Sequence, residues 1–236
     1  MVPYLGHMIT RYARFTGLLF LISIVAGGFG EFYVPSTLIV GGDASATAAN
    51  ILAHETLFRL SFAAYLIEAT CDILLVWTLY VLLRPVSRNV ALLSVLFGVL
   101  STATFAGCEL FYYAATYFLG GSKALTAFSP EQINTLALIS LKLYAIGAGV
   151  FMIFYGTATI IRGYLIAKSS FLPHWLGFLL VIAGIGFVLK SFALVLMPAL
   201  GSDFLLIGMP IAGLASTAWF LIKGVDAAKW EAAAVS

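Results

Sequence analysis

The stretch SFAAYLIEATCDILLVWTLYVLL, residues 61–83, decides the fold. It is apolar enough and long enough to cross a bilayer, whose core takes about 20 helical residues. Yet it carries two carboxylates, Glu68 and Asp72, one helical turn apart. A carboxylate at bilayer depth costs roughly 2.5–3.5 kcal/mol on insertion scales. A span that bears this cost sits among other helices or faces water, so it is read as one member of a bundle.

Composition extends the reading to the whole chain. Of 236 residues, 62% are hydrophobic and 9% charged, where a soluble domain carries about 25% charged residues. That balance points to a polytopic membrane protein. The net charge of +2 is dispersed over short loops, so there is no nucleic-acid footprint. Cys71 and Cys108 lie inside apolar segments with no partner at metal-ligand spacing. They read as core thiols rather than a disulfide.

Six hydrophobic segments follow: Phe15–Val34, Ile51–Leu83, Val90–Leu119, Ile133–Ile161, Trp175–Leu200 and Phe204–Ile222. The expected fold is all-α, a six-transmembrane-helix bundle forming one integral membrane domain over residues 1–236. Segments two and four are longer than a span needs and are expected to extend beyond the bilayer on the outer side. Gly41-Gly42-Asp43 is a turn, with Asp43, Ser45 or Thr47 as the cap of the next helix. Ser129-Pro130-Glu131-Gln132 reads as a helix start.

Basic residues set the expected orientation. Arg11 and Arg14 precede segment one, Arg84 and Arg88 follow two, Arg162 and Lys168 follow four, and Lys223 and Lys229 follow six. Only Lys123 lies on the other side, so both termini are expected in the cytoplasm. Segment one ends in Gly27-Gly28-Phe29-Gly30-Glu31 without a small-x-small cleavage site, and reads as an uncleaved span.

Counting ~1.5 Å per residue from the cytoplasmic ends gives the depth of each charge. Asp72, 12 residues before Arg84, lies ~18 Å up, near the bilayer centre. Glu31 lies ~25 Å up, and Glu109, Lys142 and Lys190 fall in the outer third. Glu55 and Arg59, beside His54, sit at the outer boundary. The expectation is a polar outer-half cavity formed by Glu31, Glu55, Arg59, Tyr65, Glu68, Asp72, Glu109, Lys142 and Lys190. Tyr65, Glu68 and Asp72 share a helix stripe, and the two carboxyls are expected to hold a proton between them. They are the candidate acids if the protein is a catalyst.

A structural reading runs beside this one. Glu55 and Arg59, at i and i+4, pair with each other. Glu109 with Lys142, or Glu31 with Lys190, would be interhelical locks. Ser23/Gly27 and Gly184/Gly186 read as close-packing sites. Trp77, Trp175, Trp219 and Trp230 read as interfacial belts. His7, His54 and His174 form neither a haem pair nor a metal triad. His54 beside Glu55 comes nearest to a metal site. No phosphate loop, zinc-protease helix, Cys-x-x-Cys or nucleophile elbow is present, so no cofactor or metal is expected.

The stretch 50–59, Asn50 to Arg59 with His54-Glu55 at its centre, resembles a signature of the DUF4386 family of bacterial membrane proteins. Tyr80–Val86, Ser129-Pro130-Glu131-Gln132, Gly163-Tyr164-Leu165-Ile166, Pro173, Leu176-Gly177 and Lys223-Gly224-Val225 resemble it too, in order along nearly the whole chain. The resemblance implies a six-helix protein of the bacterial cytoplasmic (inner) membrane and brings no reaction with it. It marks Asn50, Glu55, Arg59 and Asp72 as pattern positions. His54 stands where members often carry Ser. Lys142-Leu143-Tyr144 stands where they tend to be acidic or histidine-bearing.

Three functions fit these residues. The first is binding of a small amphipathic, cationic or lipid-like ligand in the outer-half cavity, with proton coupling if it is transported. The second is a membrane-embedded enzyme using Asp72 or Glu68 as general acid on a lipid or isoprenoid. The third is a non-catalytic subunit with a membrane-protein partner. No catalytic constellation is complete, so ligand binding is the preferred expectation.

Overall fold

The computed structural model describes residues 2–197 and 202–235. The helices are α1 (Val2–Gly27), a π turn (Gly28–Tyr33), α2 (Val34–Leu38), α3 (Ala44–Ala53), α4 (Glu55–Leu83), α5 (Arg88–Leu119), α6 (Pro130–Lys168), α7 (His174–Leu196), α8 (Gly208–Ile222) and α9 (Ala227–Val235). Two short 3₁₀ turns, Lys123–Leu125 and Asp203–Leu206, join them, and the described residues contain no strand.

Among the described residues six helical stretches are long and apolar enough to cross a membrane: Gly6–Leu38, Glu55–Leu83, Arg88–Leu119, Pro130–Lys168, His174–Leu196 and Asp203–Ile222. These match the six expected segments. The end of the fifth expected segment, 198–200, lies outside the described residues.

The outward faces of these helices are apolar. On α7, Phe178, Ile182, Ile185, Leu189, Phe192 and Leu196 form an exposed stripe at alternating spacings of four and three, one side of a helix. The opposite side, with Leu176, Leu180, Ala183 and Phe187, is buried. Water would penalise so large an exposed apolar face, whereas lipid accepts it. Lipid also requires backbone groups to be bonded within the protein, which helices provide. The chain is a multi-pass membrane protein.

Local chemistry explains the boundaries. Asp43 is the cap of α3, its carboxylate accepting from the Ala46 N–H at 2.9 Å. Ser129 and Gln132 form a reciprocal capping box: the Ser129 N–H donates to Gln132 Oε1 at 2.8 Å, and the Gln132 N–H to Ser129 Oγ at 3.4 Å. The expected second segment divides. Ile51 belongs to α3, His54 leaves helical geometry (φ −127°, ψ 39°), and the span begins at Glu55. Asn50 sits at this joint, its side-chain amide donating to the Leu38 carbonyl at 3.2 Å.

The first segment also runs further than expected, to Leu38. Pro35 has no N–H for the carbonyl of Glu31, and its ring crowds that carbonyl. The helix widens upstream into the π turn, and Val34 donates five residues back to Phe29. Glu31 lies in this turn. Such insertions are frequent at functional sites.

The chain divides into two compact units. The first comprises Met1–Ser23, Thr70–Thr102 and Gly149–Ser236. Its core gathers Leu79, Leu82, Leu165, Ile166, Leu176, Phe220 and Trp230. Trp230, expected at an interface, is buried here, and its indole N–H donates to the Leu82 carbonyl at 2.8 Å. In this unit α6 and α7 meet at paired glycines. A methyl group on Gly163 would stand 2.6 Å from the Gly177 carbonyl, and one on Gly156 would stand 2.7 Å from the Gly184 carbonyl. The second unit comprises Ile24–Ala69 and Ala103–Ala148, with Phe58, Tyr65, Phe105 and Tyr112 buried at its centre.

The glycine pairs give a paired prediction. Gly163→Ala should destabilise the protein by about 1–3 kcal/mol through overpacking, read as a lower midpoint of thermal unfolding in detergent. Gly107→Ala, on α5 with nothing within 4 Å of the added methyl, should be neutral or stabilising by up to ~1 kcal/mol. Equal loss in both variants would show that the α6–α7 approach is not close.

Candidate functional site

Each unit buries its own polar group. In the first, Asp72 on α4 accepts a hydrogen bond from Ser23 Oγ at 3.0 Å. Arg162 on α6 is its electrostatic counterpart. Arg162 was expected in a loop marking the cytoplasmic side. Instead α6 continues to Lys168, and Arg162 lies inside the unit, 8% exposed. Its Nε and Nη2 find no hydrogen-bond acceptor among the described residues. Gly98 makes room for the guanidinium, since a Cβ there would stand 2.5 Å from Nη2.

Asp72 and Arg162 do not touch. Between them lies a cavity of about 10 Å³, lined also by Phe20, Thr102 and Tyr155. That is room for about one water. A water there would donate to the carboxylate and accept from the guanidinium, completing both.

In the second unit three tyrosines pack together. Ring centroids are 5.2 Å apart for Tyr65–Tyr112, 5.3 Å for Tyr112–Tyr144 and 5.8 Å for Tyr65–Tyr144. Phe58 stacks on Tyr112 at 4.4 Å, and Phe105 meets Tyr65 edge-on at 6.0 Å. Ser61 donates to the Phe58 carbonyl at 2.7 Å, which leaves its oxygen to accept from Tyr112 OH at 2.7 Å. Three carboxylates act on this cluster: Glu31 on Tyr65 and Tyr144, and Glu68 and Glu109 on Tyr144. Gly27 accommodates Glu68, for a Cβ there would stand 2.7 Å from Oε1. Glu109 is 1% exposed.

The other residues expected in the polar layer lie elsewhere. Lys142 is exposed and faces away from its unit. Lys190 is buried in the first unit and bonds Asp203 beyond the helix end, so its lock is with Asp203 rather than Glu31. Glu55 and Arg59 form the i, i+4 pair, 2.6 and 2.8 Å through Glu55 Oε1, on an exposed surface, with Arg59 reaching Tyr113 OH at 3.3 Å. Asp72 has Ser23 as its hydrogen-bond donor and Arg162 as its counter-charge, rather than Glu68. Sequence reading missed Arg162 and Tyr155, and took Ser23 only as a packing residue. It also missed Tyr112 and Tyr144 as companions of Tyr65, though the 61–65 and 112 positions are all small or aromatic within spans that already carried carboxylates.

Removing one member of a buried charge pair leaves the other uncompensated. Arg162→Met is therefore expected to destabilise the protein by about 3 kcal/mol, and Asp72→Asn/Arg162→Met to recover most of that loss. Denaturant unfolding of the four proteins in the double-mutant cycle measures the coupling. Simple additivity of the two single losses would mean that the side chains act independently.

Residues 15–224 match the family described as Domain of unknown function (DUF4386). The chain is also 32% identical over 118 residues to an uncharacterized protein of Archaeoglobus fulgidus. That match covers 50% of this chain and 57% of the archaeal protein, so less than two thirds of the relative is spanned. No solved structure matches the chain. With the match running from the first span through the last, the chain belongs to the DUF4386 family.

Proposed function

We propose that this protein binds a small amphipathic ligand with a cationic head group, and that the tyrosine–carboxylate cluster of the second unit receives the head. The observation that carries this reading is the gathering of Tyr65, Tyr112 and Tyr144 beside Glu31, Glu68 and Glu109. Ring faces and carboxylates both attract a cation, and in a site shielded from water a cation–π contact is worth about 2 kcal/mol. Lys142, the cation that would compete, faces outward. The π turn brings Glu31 to the cluster from the first span.

The chain sits in the bacterial cytoplasmic membrane as one integral domain with both termini in the cytoplasm. With Arg162 removed from the tally, Arg11, Arg14, Arg84, Arg88, Lys168, Lys223 and Lys229 remain exposed near one set of span ends, against Lys123 near the other. That asymmetry still supports the orientation. The 29-residue α4 and 39-residue α6 exceed a bilayer span of about 20 residues, and their outer ends extend past it. The cluster then lies in the outer half, with the Glu55–Arg59 pair above it.

Choline and its uncharged isostere 3,3-dimethylbutanol test the reading. Choline should raise the thermal stability of the purified full chain, and the isostere should not. Tyr144→Leu should weaken choline binding about 30-fold, the equivalent of one shielded cation–π contact, and Glu31→Gln should weaken it in the same direction. Equal effects of choline and the isostere would exclude a cation site.

A further inference from the structure

A second site lies where three spans of the first unit end. The linker 169–173 between α6 and α7 and the turn 223–226 after α8 enclose an open cavity of about 420 Å³, lined by Ser170, Trp219, Lys223, Asp226 and Lys229. This is within the ~300–1,000 Å³ of small-molecule sites. Its walls are fixed. Gly224 takes a left-handed conformation (φ +68°) and donates to the Trp219 carbonyl at 2.9 Å, while the Trp219 indole donates to the Gly224 carbonyl at 2.9 Å. The Asp226 N–H donates to the Phe171 carbonyl at 3.2 Å, which ties the turn to the linker.

The charges in this cavity are unequal. Lys229 pairs with Asp226 at 3.2 Å. The Asp226 carboxyl is held below the usual range, first by the Lys229 backbone N–H and also by the Lys229 ammonium, so it is ionised at neutral pH. Lys223 makes no ion pair among the described residues and projects from the fixed turn. The surplus in the lining is one positive charge, and Ser170 contributes a hydroxyl to the same lining. Trp175, 47% exposed, stacks edge-on against Trp219 at 5.8 Å. Exposed tryptophan at a span end sits at head-group level.

We propose that this cavity is a phosphate-anion site, filled by the head-group phosphate of an anionic phospholipid or by free phosphate. One surplus positive charge matches a singly charged phosphodiester. Ser170 supplies a hydroxyl donor, and Trp219, with Trp175 edge-on against it, borders the cavity beside the glycerol region. The site is independent of the tyrosine–carboxylate cluster, which attracts ligands of the opposite charge.

Native mass spectrometry of the full chain, released from vesicles of phosphatidylglycerol or of phosphatidylethanolamine, provides the test. A second arm titrates inorganic phosphate and follows thermal stability. Phosphatidylglycerol should be retained in preference to phosphatidylethanolamine, and Lys223→Ala should lower retention about 5-fold. Asp226→Asn keeps an acceptor for the Lys229 N–H but frees the Lys229 ammonium, and should raise retention about 5-fold. Stabilisation by inorganic phosphate that is lost in Lys223→Ala supports the site with free phosphate as its source. Arg84→Ala/Arg88→Ala removes two exposed charges outside the cavity and should leave retention unchanged. Unchanged binding in Lys223→Ala and in the charge-reversing Lys223→Glu would overturn the proposal. So would an equal loss in the Arg84/Arg88 variant, which would mark the effect as general surface charge.

Discussion

A charged side chain inside a membrane helix needs space beside it as much as it needs a partner, and in this chain glycine on the facing helix provides that space. The Arg162 guanidinium lies where a Cβ on Gly98 would stand, and the Glu68 carboxylate where a Cβ on Gly27 would stand. Between α6 and α7 the same device serves the backbones themselves, through Gly163 with Gly177 and Gly156 with Gly184. Lipid supplies no hydrophobic drive for helix association, so packing distance decides which helices hold together. Larger residues at these glycines would displace both the buried charges and the helices that carry them.

The spans were legible because hydropathy and length act locally. So were the Asp43 cap and the Ser129–Gln132 box, whose donors and acceptors lie within four residues. Arg162 was not legible. Six residues before Lys168, it looked like the flank of a loop, and only the continuation of α6 carries it inward. The π turn was missed because its cause, Pro35, lies beyond the apparent end of the segment. Trp230 and Lys190 were misplaced for a related reason: their partners, Leu82 and Asp203, come from other elements, and no spacing rule links them. Glu55 with Arg59 was legible because both partners lie on one helix.

The two buried polar groups differ in what they can do. The Asp72–Arg162 site is nearly neutral and has room for about one water. Its charges are complementary, so its first consequence is specificity of packing, as buried pairs provide in some proteins. The tyrosine–carboxylate cluster is acidic and aromatic without an inward-facing lysine from Lys142. Ring faces and carboxylates gathered in this way attract cations.

That asymmetry changes the meaning of Asp72. On sequence it stood with Glu68 as one acidic pair on one helical stripe. In the structure its hydrogen bond comes from Ser23 and its counter-charge from Arg162, and Glu68 lies against Gly27. A buried carboxylate with a guanidinium as its counter-charge has a sufficient structural reason to be there. Glu31 is placed by a π turn beside tyrosines whose hydroxyls feel its charge. Pro35 imposes that turn on the first span. The carboxylate that looked most costly on sequence thus has a counter-charge of its own, and the acidic character gathers around the aromatic cluster instead.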